Sequence, residues 1–385
     1  MKIQLPNNVP DPNQPKPKAE LDDGADIKAF AGKKTIEELL VFATEHKCSD
    51  LYIKVDDPPY LARFGKKYRV PCRSIDKQLW KEFYDNYISN ELKQIYVSER
   101  LLDTSVAIRV PETSPNFETM VHYRYRVSFG FSQSKNWAVF RMIKPEKPTF
   151  DTINYNPKCI EALRYAYSQP SGICYETGPT GSGKSTTMAA TINSFSTPGG
   201  ILDNKVIITL EDPIENEFDS TESVRVVQKE LGKDFRTFAL GIKASLREHP
   251  NMIIVGECRD KEVICAAIEA ARTGHITSTT FHAADVAGTV NRLLYHLDND
   301  KNLSLDLIMQ LNIILSQKML KQEGKYLVDT QYLLFTPQVR EMLANTLKAG
   351  GDLSEQINKM IADPQYQAIG WVKDWDYKHL HGEGG

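Results

Sequence analysis

The sequence predicts an α/β protein of two domains, a smaller strand-containing domain followed by one built on a largely parallel sheet. Three observations carry this. Between about residues 152 and 335, short β-rich runs at 173–176, 206–210, 252–255 and 276–280 alternate with helix-compatible segments, the rhythm of strands joined by crossover helices. The glycine-rich run Gly178-Pro179-Thr180-Gly181-Ser182-Gly183-Lys184-Ser185-Thr186 stands directly after the first of these runs and before a helix-compatible stretch, where a phosphate-binding loop must sit. Finally, 385 residues exceed the size at which one core keeps growing, so two domains with tails are expected.

In chain order, residues 1–33 carry Pro6, Pro10, Pro12, Pro15 and Pro17 among Asn, Asp and Lys. Such a composition has too little apolar surface to offset ordering entropy, and a disordered arm is expected. Order begins at Thr35, where Thr35 and Glu38 match a capping box and Ile36, Leu39, Leu40 and Ala43 form one apolar helical face. The first domain then spans 34–143. It holds a strand at 50–55 and a second at 122–131, whose alternation puts Tyr123, Tyr125, Val127, Phe129 and Phe131 on one face and His122, Arg124, Arg126 and Ser128 on the other. A third strand, 137–143, carries Arg141. Residues 144–151, with Pro145 and Pro148, read as a stiffened linker. The α/β domain is expected over 152–340 and a helical tail over 341–385.

A net charge of −3, from 47 basic and 50 acidic residues, supplies no overall pull toward nucleic acid or anionic lipid and leaves a nucleic-acid partner open. The six cysteines, Cys48, Cys72, Cys159, Cys174, Cys258 and Cys265, form no Cys-x-x-Cys pair and read as small buried hydrophobes in a reducing cytoplasm. With no apolar run near the roughly 18 residues of a bilayer span and no apolar signal core at the start, direct membrane insertion is not expected.

The chemistry centres on the glycine-rich loop. Its glycines let backbone N–H groups converge on phosphate oxygens at a helix N-terminus, Lys184 neutralises β- and γ-phosphate charge, and Ser185 offers its hydroxyl to Mg²⁺. ATP and Mg²⁺ are the implied ligands. Residues 252–255 form an apolar strand that leads through Gly256 to Glu257, the form expected of an acid facing Mg²⁺, directly or through water, or the attacking water. Alone, this would read as a strand followed by a solvated Glu; the loop some 70 residues upstream reverses that preference. Glu211, Asp212 and Glu215 follow the 206–210 strand; they orient water or hold Mg²⁺ through it, or form only an acidic turn. His275 and His282 bracket the 276–280 run and are candidates to sense the γ-phosphate, although a lone histidine is more often structural.

Four segments in this order resemble the secretion and pilus ATPases that include the PilT and GspE types. They are 178–186, the acidic box from Glu211 to Glu215, the Walker B region Val255-Gly256-Glu257-Cys258-Arg259-Asp260, and the histidine box from Thr273 to His282. Within that family, Arg259-Asp260-Lys261-Glu262 and the Thr-Gly-His and Thr-Thr-Phe-His runs are most similar to the DotB and TraJ ATPases of Dot/Icm-type secretion and related conjugation systems. The resemblance implies a RecA-like P-loop ATPase domain behind a PAS-like α+β domain. It also implies a homo-hexamer acting with inner-membrane apparatus proteins from the cytoplasmic side, and arginines of the first domain approaching the phosphates. Arg124, Arg126 and Arg141 fall on the strands that carry those arginines. Where many relatives have Asp-Pro-Asp before the Walker B strand, this chain has Glu248-His249-Pro250-Asn251; the tetracysteine module of some GspE relatives is absent.

The reading is therefore an ATPase motor for type IV(B) secretion, conjugative transfer or a pilus machine, with Lys184, Glu257 and an arginine on the reacting phosphate. A DNA-stimulated translocase and an ATP-binding scaffold with little hydrolysis are the rivals.

Overall fold

The computed structural model describes residues 35–63, 66–70, 74–114, 117–143, 147–218, 220–222, 224–322 and 325–375. The expected arm (1–33), Cys72, linker residues 144–146 with Pro145, and the end from 376 lie outside the described residues. The chain divides between Met142 and Ile143 into two compact units.

The first unit opens with α1 (Ile36–Glu45), where the Glu38 amide donates to Thr35 Oγ1 and the Glu38 carboxylate accepts from the Thr35 amide, a complete capping box. Strands β1 (Asp50–Lys54), β2 (Tyr60–Arg63) and β3 (Lys66–Arg69) precede helices α2 (Lys77–Tyr87) and α3 (Asn90–Glu99). The long strands β4 (Leu102–Ser114) and β5 (Phe117–Ser132) and then β6 (Lys135–Met142) complete an antiparallel sheet of order β3-β2-β1-β6-β5-β4. Leu39, Leu40, Leu51, Ile53, Trp80, Phe83, Tyr125, Val127, Phe129 and Phe140 share one core. The helices thus cover one face of the sheet, each large side chain contributing roughly 1.5–3 kcal/mol. Period-two alternation puts Arg124 and Arg126 on the opposite face of β5.

The second unit begins with α4 (Pro157–Ser168) and β7 (Gly172–Thr177), which feeds α5 (Lys184–Phe195). Then come β8 (Val206–Glu211), β9 (Arg225–Glu230), α6 (Phe238–Ser245), β10 (Met252–Val255), α7 (Lys261–Arg272), β11 (Ile276–Phe281), α8 (Val286–His296) and α9 (Lys301–Gln310). The hairpin β12 (Leu311–Gln322) and β13 (Lys325–Leu334) leads to α10 (Pro337–Lys348), α11 (Leu353–Ala362), α12 (Pro364–Ala368) and the short β14 (Val372–Lys373). The sheet order is β14-β13-β12-β7-β11-β10-β8-β9. Its six strands from β12 to β9 run parallel, with β13 and β14 antiparallel at one edge.

Both faces of this sheet are covered, which is why its strands read as continuous apolar runs. Ile173, Tyr175, Ile253 and Val255 enter one core with α7 and α8, while Cys174, Met252 and Ile254 enter another beside α4 and α5. Helices occupy the stretch where a helical tail is expected from residue 341, and they pack on the sheet. Val339 and Leu343 of α10 and Leu353, Ile357 and Met360 of α11 belong to the same core as Ile173 and Ile253. These helices carry apolar faces that must be buried, and the sheet supplies the surface.

Candidate nucleotide site

The sheet delivers β7, β11, β10 and β8 with their C-terminal ends on one edge, where α/β proteins place ligands. From the end of β7 the chain turns through residues 178–183 into α5. Gly178 and Gly183 have φ of +148° and +89°, and a Cβ built on Gly178 would lie 2.3 Å from the carbonyl oxygen of Gln317, so only glycine lets the loop pass this close to β12. Lys184, the first residue of α5, is 8% exposed. Its Nζ donates to the carbonyls of Gly178 at 2.9 Å and Pro179 at 3.0 Å. Burial lowers the Lys184 pKa, against the raising pull of Glu176 and Glu257. Pro179, Thr180, Gly181, Ser185 and Thr186 are exposed at the mouth, with Ser182 buried beneath them. Glycines at a strand-to-helix turn, a buried ammonium and an exposed hydroxyl beside it fit a nucleotide phosphate chain with its Mg²⁺.

Two strands along, Glu257 follows β10. Its segment is held from both sides, the Gly256 amide donating to Leu210 O at 2.7 Å, the Cys258 amide to Thr280 O at 3.0 Å and Thr280 Oγ1 to Gly256 O at 2.6 Å. Arg259 Nε lies 2.5 Å from Glu257 Oε1. His282, just past β11, has its pKa lowered by burial and by the positive charge of Lys184, with Arg259 and Arg292 adding to the effect and Glu257 opposing it. Lys184, Glu257 and His282 therefore share one electrostatic environment, and His282 favours its neutral form there.

The remaining candidates lie elsewhere. His275, a candidate to sense the γ-phosphate, lies at the end of β11 away from the loop. It precedes β11, whose start pairs with Gly172 at the start of β7, whereas Phe281 pairs with Thr177 beside the loop; at about 3.3 Å per residue His275 is about 20 Å from the phosphate end. Its Nδ1 sits 3.2 Å from Ala270 O and 3.3 Å from Thr273 Oγ1, a turn-forming role. Glu211, at the end of β8, accepts from Thr209 Oγ1 at 2.6 Å and Gln228 Nε2 at 2.9 Å, which ties β8 to the edge strand β9. Glu215 lies beyond Asp212-Pro213 and is half-buried. β8 is three strands from β7, about 14 Å, so neither acid is brought to Lys184 by the sheet itself.

In the first unit, Arg126 of β5 pairs in register with Arg141 of β6, and Arg141 with Asp50 of β1. Arg141 Nε donates to Asp50 Oδ1 at 3.0 Å, and Arg124 Nη2 to Ser105 Oγ at 3.2 Å.

Several participants were missed by sequence reasoning. Gln317 of β12, Tyr155 before α4 and Arg292 of α8 come close only through the fold. Glu176 was in plain view inside the apolar β7 run. It is 1% exposed, Tyr167 donates to its Oε1 at 3.5 Å, and burial pushes its carboxyl up to about 8. Among the described residues, no group of three or more His, Cys, Asp or Glu is arranged to hold a metal. No described helix is long and apolar enough to cross a membrane.

Comparison with known proteins accords with this geometry. Residues 27–347 match the family model described as type II/IV secretion system protein. The type IV pilus retraction ATPase PilT of Pseudomonas aeruginosa is 30% identical over 334 residues, covering 83% of this chain and 91% of PilT. Among solved structures, the ATPase DotB of Legionella pneumophila superposes with a TM-score of 0.73 at 26% identity, covering 91% of this chain and 96% of DotB. The pilus retraction motor PilT with bound ADP superposes with a TM-score of 0.69 at 28% identity, covering 82% and 88%. With a RecA-like core, its phosphate loop in place and a family match over most of its length, the chain belongs to the type II/IV secretion system protein family, the ATPases of secretion and pilus machines.

Proposed function

We propose that this ATPase is the hexameric motor of a type IV(B) secretion or conjugative transfer machine, acting at the cytoplasmic face of the inner membrane through apparatus proteins. Lys184 and the loop amides hold the β- and γ-phosphates, Glu257 orients and deprotonates the attacking water, and neutral His282 hydrogen-bonds near the γ-phosphate. Ser185, with Glu257 through a water, would hold Mg²⁺, which when bound would supply neutralising charge to the phosphate oxygens. An arginine from the first domain of a neighbouring subunit, Arg126, Arg124 or Arg141, stabilises the transition-state charge. Glu211 and Glu215 keep a supporting role at the next strand end.

What supports the chemistry is the placement of Lys184, Glu257 and His282 just beyond the C-terminal ends of β7, β10 and β11, which lie side by side in the sheet. The likeness to DotB over nearly the whole of both chains supports the choice of machine. Deleting the gene in its host and scoring conjugative transfer or effector secretion beside twitching tests that choice. Loss of transfer or secretion with twitching intact is expected; loss of twitching alone would assign the motor to a pilus instead. In vitro, phosphate release should disappear with Lys184→Ala.

A further inference from the structure

The P-loop has a support that its own sequence does not contain. Gln317 of β12 is completely buried and its Nε2 donates to the Ser182 carbonyl at 2.7 Å. The other end of the same amide, Oε1, accepts from the buried hydroxyl of Tyr155 at 3.2 Å. The orientation of the amide is dictated by its partners, since a backbone carbonyl only accepts and the tyrosine hydroxyl is able to donate. The Gln317 backbone also touches the loop, its carbonyl lying 2.3 Å from where a Cβ on Gly178 would be.

This grip has a directional consequence. The Ser182 C=O and the Gly183 N–H belong to one planar trans peptide and point in opposite directions. Holding the carbonyl against β12 therefore turns the Gly183 N–H away from the buried strand, toward the open side of the loop where Pro179, Thr180 and Gly181 are exposed. An N–H fixed in this direction before ligand arrives contributes to anion binding without reorganisation. A freely rotating peptide would lose part of that benefit.

We infer that Gln317, oriented by Tyr155, is a positioning residue that sets the direction of the Gly183 amide for the nucleotide phosphates. The inference rests on the nucleotide site proposed above. Gln317 acts on uniform binding of the phosphate chain, so its loss raises KM more than it lowers kcat. A glutamine that merely satisfies buried partners would change stability and leave KM alone.

The test uses the full chain and steady-state ATP hydrolysis, with melting temperatures measured without nucleotide. Gln317→Met, of similar size but without the amide, should raise KM for ATP about tenfold while kcat stays within about threefold. Gln317→Glu keeps the shape; its buried carboxyl, when neutral, donates to the Ser182 carbonyl in the amide's place, so KM should rise as in Gln317→Met only at alkaline pH, where a carboxylate oxygen would face that carbonyl. Tyr155→Phe should raise KM about two- to threefold alone and add nothing on top of Gln317→Met, because it acts through Gln317. If Gln317→Met does not fold, Gln317→Glu and Tyr155→Phe decide the matter. Folded Gln317→Met, or folded Gln317→Glu at alkaline pH, with KM within twofold of the parent would overturn the assignment. ADP titration of Lys184→Ala separates the two levels: its loss of binding beside unaffected Gln317 variants rejects only the clamp, whereas undiminished binding rejects the site and the clamp together.

Discussion

Arg259 Nε lies 2.5 Å from Glu257 Oε1, a contact between a side chain that is 71% exposed and a carboxylate that is 16% exposed. The pair is open to water on the arginine side, so it adds little to folding. What it does is hold the carboxylate in place at the end of β10. Glu257→Gln keeps that shape and removes the charge and the basicity. We expect its turnover to fall by about 10²–10⁴, with ATP affinity within about threefold of the parent and melting temperature nearly unchanged. Single-turnover hydrolysis beside equilibrium binding checks this; a collapse of affinity would make Glu257 a ligand of the nucleotide complex and not the activator of water.

The two histidines of one sequence box separate by the length of a strand. His282 shares its surroundings with Lys184 and Glu257, and His282→Ala should lower kcat about tenfold or more without a large fall in melting temperature. His275 bonds in the turn before β11. His275→Ala is expected to act on stability and to leave intrinsic ATP affinity unchanged. Equal losses of affinity in the two variants would refute the assignment.

Glu176 should make stability depend on pH. Burial raises its folded-state pKa from 4.5 to about 8, so between those values the folded chain holds a proton that the unfolded chain has released. The stabilisation is present in full below about pH 4.5 and is lost as pH rises toward 8. Glu176→Gln is neutral throughout and lacks this slope. Melting temperatures at pH 5, 7 and 9 should therefore show the variant gaining on the parent as pH increases, by on the order of a few kcal/mol at most. A constant difference across that range would show that Glu176 is already ionised at pH 5 in the folded protein.

Local signals carried far in this chain. The Thr35 cap, the alternation from Tyr123 to Phe131 and the apolar runs of β7, β8, β10 and β11 each reflect a periodicity that neighbouring residues decide. What the sequence left obscure depends on register and on distant pairs. Gln317 meets Ser182 across 135 positions, and nothing in Leu315-Ser316-Gln317 distinguishes that glutamine from any polar residue that follows an apolar run. Which of His275 and His282 lies at the phosphate end follows only once β11 is known to run parallel beside β7. The docking of α10 and α11 was hidden for the same reason, because an amphipathic helix does not name the surface that will cover it.

The last prediction concerns the arginines. Arg126 and Arg141 stand opposite each other on β5 and β6, and like charges so placed repel at a spacing of about 5 Å. Asp50 offsets part of this through Arg141 at 3.0 Å; an anion arriving at the same face would offset more. In a head-to-tail ring two different surfaces of neighbouring subunits meet at every interface. If the anion is the neighbour's phosphate chain, one subunit contributes Lys184 and the next contributes Arg126. Lys184→Ala and Arg126→Ala proteins should then each be inactive alone. An Arg126→Ala subunit retains its P-loop and a Lys184→Ala subunit retains its arginine, so random equimolar mixing completes about a quarter of the interfaces. Phosphate release should return on mixing, to a level set by that fraction. Absence of recovery in rings proven to be mixed, for Arg126 and equally for Arg124 and Arg141, would show that these guanidinium groups serve only the exposed face of their own sheet.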